Sequence, residues 1–288
     1  MTSSAPKSRS PSPSYTCSES SVRDTAALMD ACEGPDPGAP YRAPPLGRGY
    51  MAAIACPPGR LRVGLCDTTF TGLPVHPDCA RAVQDAGRLL ASLGHHVEPF
   101  RLEADHEGMI RAWVDIVATG TALSIRGNLA GRAPEHFVEP VSQGAMAHAA
   151  ALSAEDYLAA IGRIHAYGRE VARVFERIDV LLSPVMAEPP ALVGRFDHRN
   201  PDYLDYRLGP EGVFAYSPFC TAFNASGQPA ASLPLHWTDD NLPVGVQVAA
   251  AFGDDERLIS LCREVEMVKP WFHRRAPLAA DVNGSSAP

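Results

Sequence analysis

Two lysines, ten histidines, seven cysteines and the serine pairs Ser20-Ser21 and Ser285-Ser286 are the side chains of this 288-residue chain that could carry nucleophilic, acid-base or metal chemistry. An activated serine needs a base within hydrogen-bond reach, and a lysine base must be desolvated enough to give up its proton near neutral pH. Lys7 falls in a Ser/Pro-rich tail, and Lys269 stands just before Pro270 and Trp271 near the C-terminus. Neither place predicts a catalytic amine, and Lys269 reads as solvated or salt-bridged. The serine pairs have no Gly-rich surround, so Ser20-Ser21 reads as a helix cap and Ser285-Ser286 as tail.

The densest histidine group is His76, His95, His96 and His106. Adjacent histidines on an extended segment point to opposite faces, so His95 and His96 cannot readily share one ion. Surface roles are the expectation for the group, with no metal site. Cys17, Cys32, Cys56, Cys66, Cys79, Cys220 and Cys262 are odd in number, widely spaced and free of C-x-x-C pairs, which predicts reduced thiols. No H-E-x-x-H, G-x-S-x-G or P-loop pattern occurs, and no cofactor is expected.

These residues need a frame. With 45% hydrophobic and 20% charged residues, the chain can bury one sizeable core, and the simplest division is a domain at 21–277 between unstructured tails at 1–20 and 278–288. A net charge of -8 and scattered arginines leave no basic footprint, so nucleic acid is not expected as a partner. No apolar run reaches a membrane span and no apolar stretch follows Lys7 and Arg9, which predicts a cytoplasmic protein without membrane contact.

Ser21 to Asp24 has capping-box spacing and opens a short helix that the Gly/Pro-rich stretch Glu33–Pro45 ends. Leu61, Val63 and Leu65 then alternate as a strand, Pro77 starts a helix through Leu93, Gly94 stops it, and Val97 to Phe100 reads as a second strand. Asp105–Leu129 and Ser153–Arg177 read as helices separated by a polar stretch. Asp179 to Pro184 is a short apolar strand, and Met186–Phe219 reads as one long irregular segment of the kind that lines sites. Phe223 to Gly227 reads as a turn, followed by two strands and a helix from Asp254 to Met267.

Six segments in this order resemble the amidase signature family: Ser21-Val-Arg-Asp-Thr-Ala26, Gly34-Pro-Asp-Pro37, Pro57-Pro-Gly-Arg-Leu-Arg-Val-Gly-Leu65, Asp179-Val-Leu-Leu-Ser-Pro184, Phe223-Asn-Ala-Ser-Gly-Gln-Pro-Ala230 and Pro243-Val-Gly-Val-Gln-Val248. The resemblance covers about Ser21 to Pro277 and is to the C-terminal half of bacterial members. It implies an α/β fold, a mixed β-sheet flanked by helices, here a partial one. It also implies amide hydrolysis by a Ser, cis-Ser, Lys triad with a Gly-rich oxyanion loop.

In the family, the lysine and both serines precede the helix matched by Ser21–Ala26, and no residue from Ser21 onward takes their place. No catalytic residue is therefore assigned. Met186, Phe223 and Asn224 match regions beside the family's substrate cleft and are the candidate substrate contacts. The implied partners are a small-molecule amide substrate, if a missing half completes the site, and a complementing N-terminal fragment or a second copy in a homo-oligomer. The expectation is an amidase by ancestry that is truncated and inactive alone; the alternative is a non-catalytic binding or interaction protein.

Overall fold

The computed structural model describes residues 21–35 and 37–274, so the expected tails lie outside the described residues. The chain runs through α1 (Val22–Cys32), α2 (Tyr50–Ala53), β1 (Arg62–Leu65), α3 (Pro77–Ser92), β2 (His96–Pro99) and α4 (His106–Leu129). A 3-10 turn (Pro134–His136), α5 (Pro140–Ala151), α6 (Ala154–Val174), β3 (Val180–Pro184), α7 (Tyr203–Leu208) and α8 (Val213–Tyr216) follow. The closing elements are α9 (Cys220–Ser226), β4 (Ala230–Trp237), β5 (Pro243–Ala250) and α10 (Asp255–Val268).

The strands form one mixed sheet in the order β2-β1-β3-β5-β4. β1 pairs in parallel with β2 and β3, while β5 runs antiparallel to both β3 and β4. Side chains alternate across a strand, and here the alternation sorts them into two cores. Val63, Val180, Leu182, Val246 and Val248 pack with α1, α2, α3 and α10 on one face. Leu181 and Ala249 pack with α4, α6 and α9 on the other. Helices on both faces make this the α/β architecture that the pattern predicts.

Local chemistry explains most boundaries. Ser21 and Ser153 accept from the backbone N–H three residues on, and Ser153 with Asp156 completes a reciprocal capping box. Pro77 takes the first turn of α3, and Gly94, at φ +97, lets the chain leave that helix toward β2.

Three readings change. The polar stretch before Ser153 contains α5, whose buried residues are only Val141 and Ala145, too thin a stripe to register as a helical period. The segment Met186–Phe219 holds α7 and α8. The expected turn at Phe223 is instead the second half of α9, and the turn itself begins at Gly227, whose φ of +83 closes the helix in left-handed geometry.

Two of the four grouped histidines are buried rather than superficial. His95 accepts from the Leu61 N–H at Nδ1 and places Nε2 2.8 Å from Glu264, tying β1 and β2 to α10. His106 lies between the backbone carbonyl of Leu102, 2.9 Å from Nε2, and the Tyr167 hydroxyl, 3.0 Å from Nδ1. A carbonyl can only accept, so Nε2 carries the proton and Nδ1 accepts from Tyr167. Among the described residues no group of three or more His, Cys, Asp or Glu side chains could hold a metal ion.

Burial pushes the His106 pKa below its ordinary 6.5, outweighing the Leu102 hydrogen bond and the nearby Asp105 and Glu170 charges. The unfolded chain therefore binds the extra proton more readily. The stabilisation is complete above pH 6.5 and is lost as pH falls from there through the lower folded-state value. Thermal midpoints measured between about pH 7 and pH 5 should decline on acidification, and His106→Gln, which keeps a donor for Leu102, should flatten that decline. An unchanged slope in the variant would assign the decline to other groups.

Candidate functional site

β1 and β3 leave the sheet at neighbouring carboxyl ends, with the connection from β1 running to β2 on the far side. Chain that departs in opposite directions from adjacent parallel strands opens a crevice, which is where α/β sheets place ligands. Cys66 and Phe70 follow β1 there, Val185 to Pro190 follow β3, and α9 covers the same face.

A polar row crosses the sheet at this point. The register sets Ser183 of β3 opposite Gln247 of β5, and Gln247 opposite Ser232 of β4. Ser183 and Gln247 are buried; Ser232 is exposed. The Ser183 hydroxyl lies 3.1 Å from the Pro184 carbonyl and 3.3 Å from Gln247 Oε1, and its single proton serves one or the other. Gln247 donates through Nε2 toward Cys220 Sγ at 3.8 Å, and the Cys220 thiol faces the Val185 carbonyl at 3.7 Å. These contacts fasten the first turn of α9 to the strand and to the loop that follows it. Gln228, just beyond α9, is buried with its carboxamide oxygen unpaired.

The sequence carries a local signal for two members of this row. Ser183 and Gln247 are single polar residues inside the apolar runs Val180–Pro184 and Val244–Ala250. A buried polar residue in a central strand must find a partner, and its side of the sheet follows from the period of two.

The segment between β3 and α9 is held in shape from within. Arg195 donates to both Glu188 oxygens, at 2.6 and 3.1 Å, and lies 5.4 Å from the centre of the Tyr216 ring. The Arg195 hydrogen bonds hold the Glu188 carboxyl below its usual range. The Ala187 N–H donates to the Tyr216 carbonyl at 2.9 Å, and the His76 N–H donates to the Ala187 carbonyl at 2.8 Å, fixing the loop to the start of α3.

Met186 stands half-buried on this loop. Asn224 is exposed on α9, and Phe223 beside it is buried in the core, its ring edge-on to Phe70 at 6.0 Å. The Cys220–Val185 contact joins the loop that carries Met186 to the helix that carries Phe223 and Asn224.

Ser183 and Gln247 are buried and bond to Pro184, to each other and to Cys220. Burial pushes the Cys220 and Cys66 thiols up, which keeps both protonated and weakly nucleophilic near neutral pH. Lys269 donates its ammonium to the Leu235 carbonyl at 2.7 Å. His95 and His106 are committed to Glu264 and Tyr167, and Lys7 lies outside the described residues.

The family profile described as Amidase matches residues 19–259. The 6-aminohexanoate-cyclic-dimer hydrolase of Pseudomonas sp. strain NK87 is 32% identical over 266 residues, which are 90% of this chain and 54% of that protein. A solved structure of 6-aminohexanoate cyclic dimer hydrolase complexed with substrate superposes with a TM-score of 0.81 at 31% identity, over 90% of this chain and 55% of that one. A bacterial aryl acylamidase of the amidase signature family shares the fold, with a TM-score of 0.72 at 22% identity over 88% of this chain and 54% of that one. The chain thus spans about half the length of the relatives it matches. A sheet of this topology and a profile match over most of the chain agree: the protein belongs to the amidase signature family.

Proposed function

We propose that this chain is the substrate-side half of an amide hydrolase, acting on a small-molecule amide when a second segment supplies nucleophile, base and oxyanion loop. The observation that carries the reading is the polar row of Ser183, Gln247 and Ser232 at the carboxyl end of β3, beside thiols held protonated by burial. Such a wall binds and orients an amide and leaves its hydrolysis to groups outside the described residues. Met186 and Asn224 are the proposed substrate contacts, and Phe223 supports α9 from beneath. The six free cysteines of the described residues suit a reducing, cytoplasmic compartment. The proposed partner is a fragment equivalent to the N-terminal half of the longer relatives, and the chain alone is proposed to be inactive.

A second reading, a non-catalytic interaction protein, draws on Leu192 and Val193, which stand 87% and 106% exposed in the loop beside the site. One experiment separates the two. The purified chain is assayed on an aryl amide alone and mixed with the N-terminal half of a 6-aminohexanoate-cyclic-dimer hydrolase, with a serine-directed covalent probe and mass spectrometry to locate the label. The expected result is no turnover or label for the chain alone, and turnover in the mixture with label on the added half. Turnover by the chain alone with label on its own serine overturns the first reading. Tight association without turnover favours the second.

A further inference from the structure

The sheet ends on β2 at one side and on β4 at the other. An open edge strand is a template for pairing, and proteins guard such edges with charge, proline or bulges. β2 is guarded along its whole length: it has four residues, carries His96 3.6 Å from Glu98 and ends at Pro99. β4 is guarded only in its second half. Pro234 interrupts that half, a register shift falls between Pro234 and His236, and the Lys269 ammonium takes the Leu235 carbonyl at 2.7 Å. The first half, Ala230, Ala231 and Ser232, has neither charge nor proline, and Ala230 and Ser232 are exposed.

The ladder fixes which way these residues turn their backbone. Ala230 lies opposite Ala249, and the Ala250 N–H donates to the Pro229 carbonyl at 3.1 Å, one step to the side. Ala230 and Ala249 are therefore a pair without mutual hydrogen bonds, and the alternation continues along the strand. Ala231 and Leu233 bond to β5, while Ala230, Ser232 and Pro234 turn their backbone polar groups outward. Pro234, which lacks an N–H, falls where β5 needs none. The N–H and carbonyl groups of Ala230 and Ser232 thus face away from β5, and no described strand lies against them.

This open half-edge is also where the polar row ends, since Ser232 is its last member. A strand laid against it sets one of its own residues beside Ser232, in line with Gln247 and Ser183. A second segment that brings reacting groups to the row can reach it from here. The chain covers 54% of the length of the 6-aminohexanoate-cyclic-dimer hydrolase, which leaves the remainder of such a protein to supply the strand.

We propose that a β-strand of the complementing segment pairs with residues 230–232, extending the sheet past β4 and continuing the polar row. The identity of the partner rests on the proposed function; the place of docking rests on the edge itself.

Amide hydrogen exchange of the full chain, read residue by residue with and without the N-terminal half of a 6-aminohexanoate-cyclic-dimer hydrolase, tests it. Exchange at Ala230 and Ser232 should slow by about tenfold or more on association, the effect of one net hydrogen bond. Ser232→Pro removes an outward N–H and leaves the bonds to β5 in place, so its urea midpoint should stay near that of the wild type while association weakens by about tenfold or more. Ser232→Ala, which keeps the N–H, should associate as the wild type does. Should Ser232→Pro fail to fold, Ala230→Pro repeats the test at the other outward position, and the exchange measurement needs no variant. Association without slower exchange at Ala230 and Ser232 overturns the proposal, and turnover in that mixture would leave the amidase reading standing. Slower exchange without turnover upholds the docking site and counts against the hydrolase reading. Absence of association overturns both. Slow exchange already present in the chain alone overturns the proposal, in favour of a second copy if dilution removes it and of this chain itself if dilution does not.

Discussion

Phe219→Ala is expected to destabilise the protein by about 3–5 kcal/mol, the range for deleting a buried aromatic ring and leaving its cavity. Phe219 is fully buried at the start of α9. Its ring meets that of Phe70 edge-on at 5.1 Å and 86°, and Phe70 in turn stacks on His106 at 5.2 Å. The neighbours cannot collapse easily into the space, because His106 is fixed by two hydrogen bonds and Phe223 by the rest of α9. Against a typical domain stability of about 5–15 kcal/mol, this is a large fraction. Urea unfolding should show the loss as a lower midpoint, and a change under about 1 kcal/mol would mean that Phe219 is not the anchor of α9. The same substitution frees Cys220 from Gln247 and Val185, so any activity regained with a complementing half should fall more than overall stability predicts.

How far the sequence reaches depends on whether a feature is local. β3 was legible because Val180 to Pro184 is an apolar run too short for a helix and stopped by proline. α6 was legible because Ser153 and Asp156 cap it and Tyr167 and Val171 lie one turn apart on its buried face. α5 and α9 were not, since the first buries only Val141 and Ala145 and the second is a seven-residue helix fixed by core packing of Phe223 and by Gly227 rather than by propensity. Burial of His95 and His106 is not legible locally, because each depends on a partner far along the chain, Glu264 and Tyr167. The site follows the same division. Ser183 and Gln247 were visible as polar interruptions, but only the antiparallel register of β3 and β5 sets them face to face.

The second large effect concerns β3 itself, where Leu181→Ala and Leu182→Ala should each cost about 2–5 kcal/mol. Both side chains are about 1% exposed, yet they belong to different cores: Leu181 packs under α4, α6 and α9, and Leu182 under α3 and α10. In a sheet covered on one face, one of two successive residues would face water and its truncation would be nearly neutral. Comparable losses from neighbours of opposite orientation are therefore the signature of a strand enclosed on both sides. Glu98→Ala on the edge strand β2, where the side chain is 51% exposed, serves as the reference and should stay within about 0.5 kcal/mol. Equilibrium unfolding of the three variants decides the matter: a near-neutral Leu181→Ala would mean that α4, α6 and α9 do not cover the sheet when the chain stands alone. That outcome would also remove the roof of the Ser183–Gln247 row, and with it the preformed wall on which the amide-binding role depends.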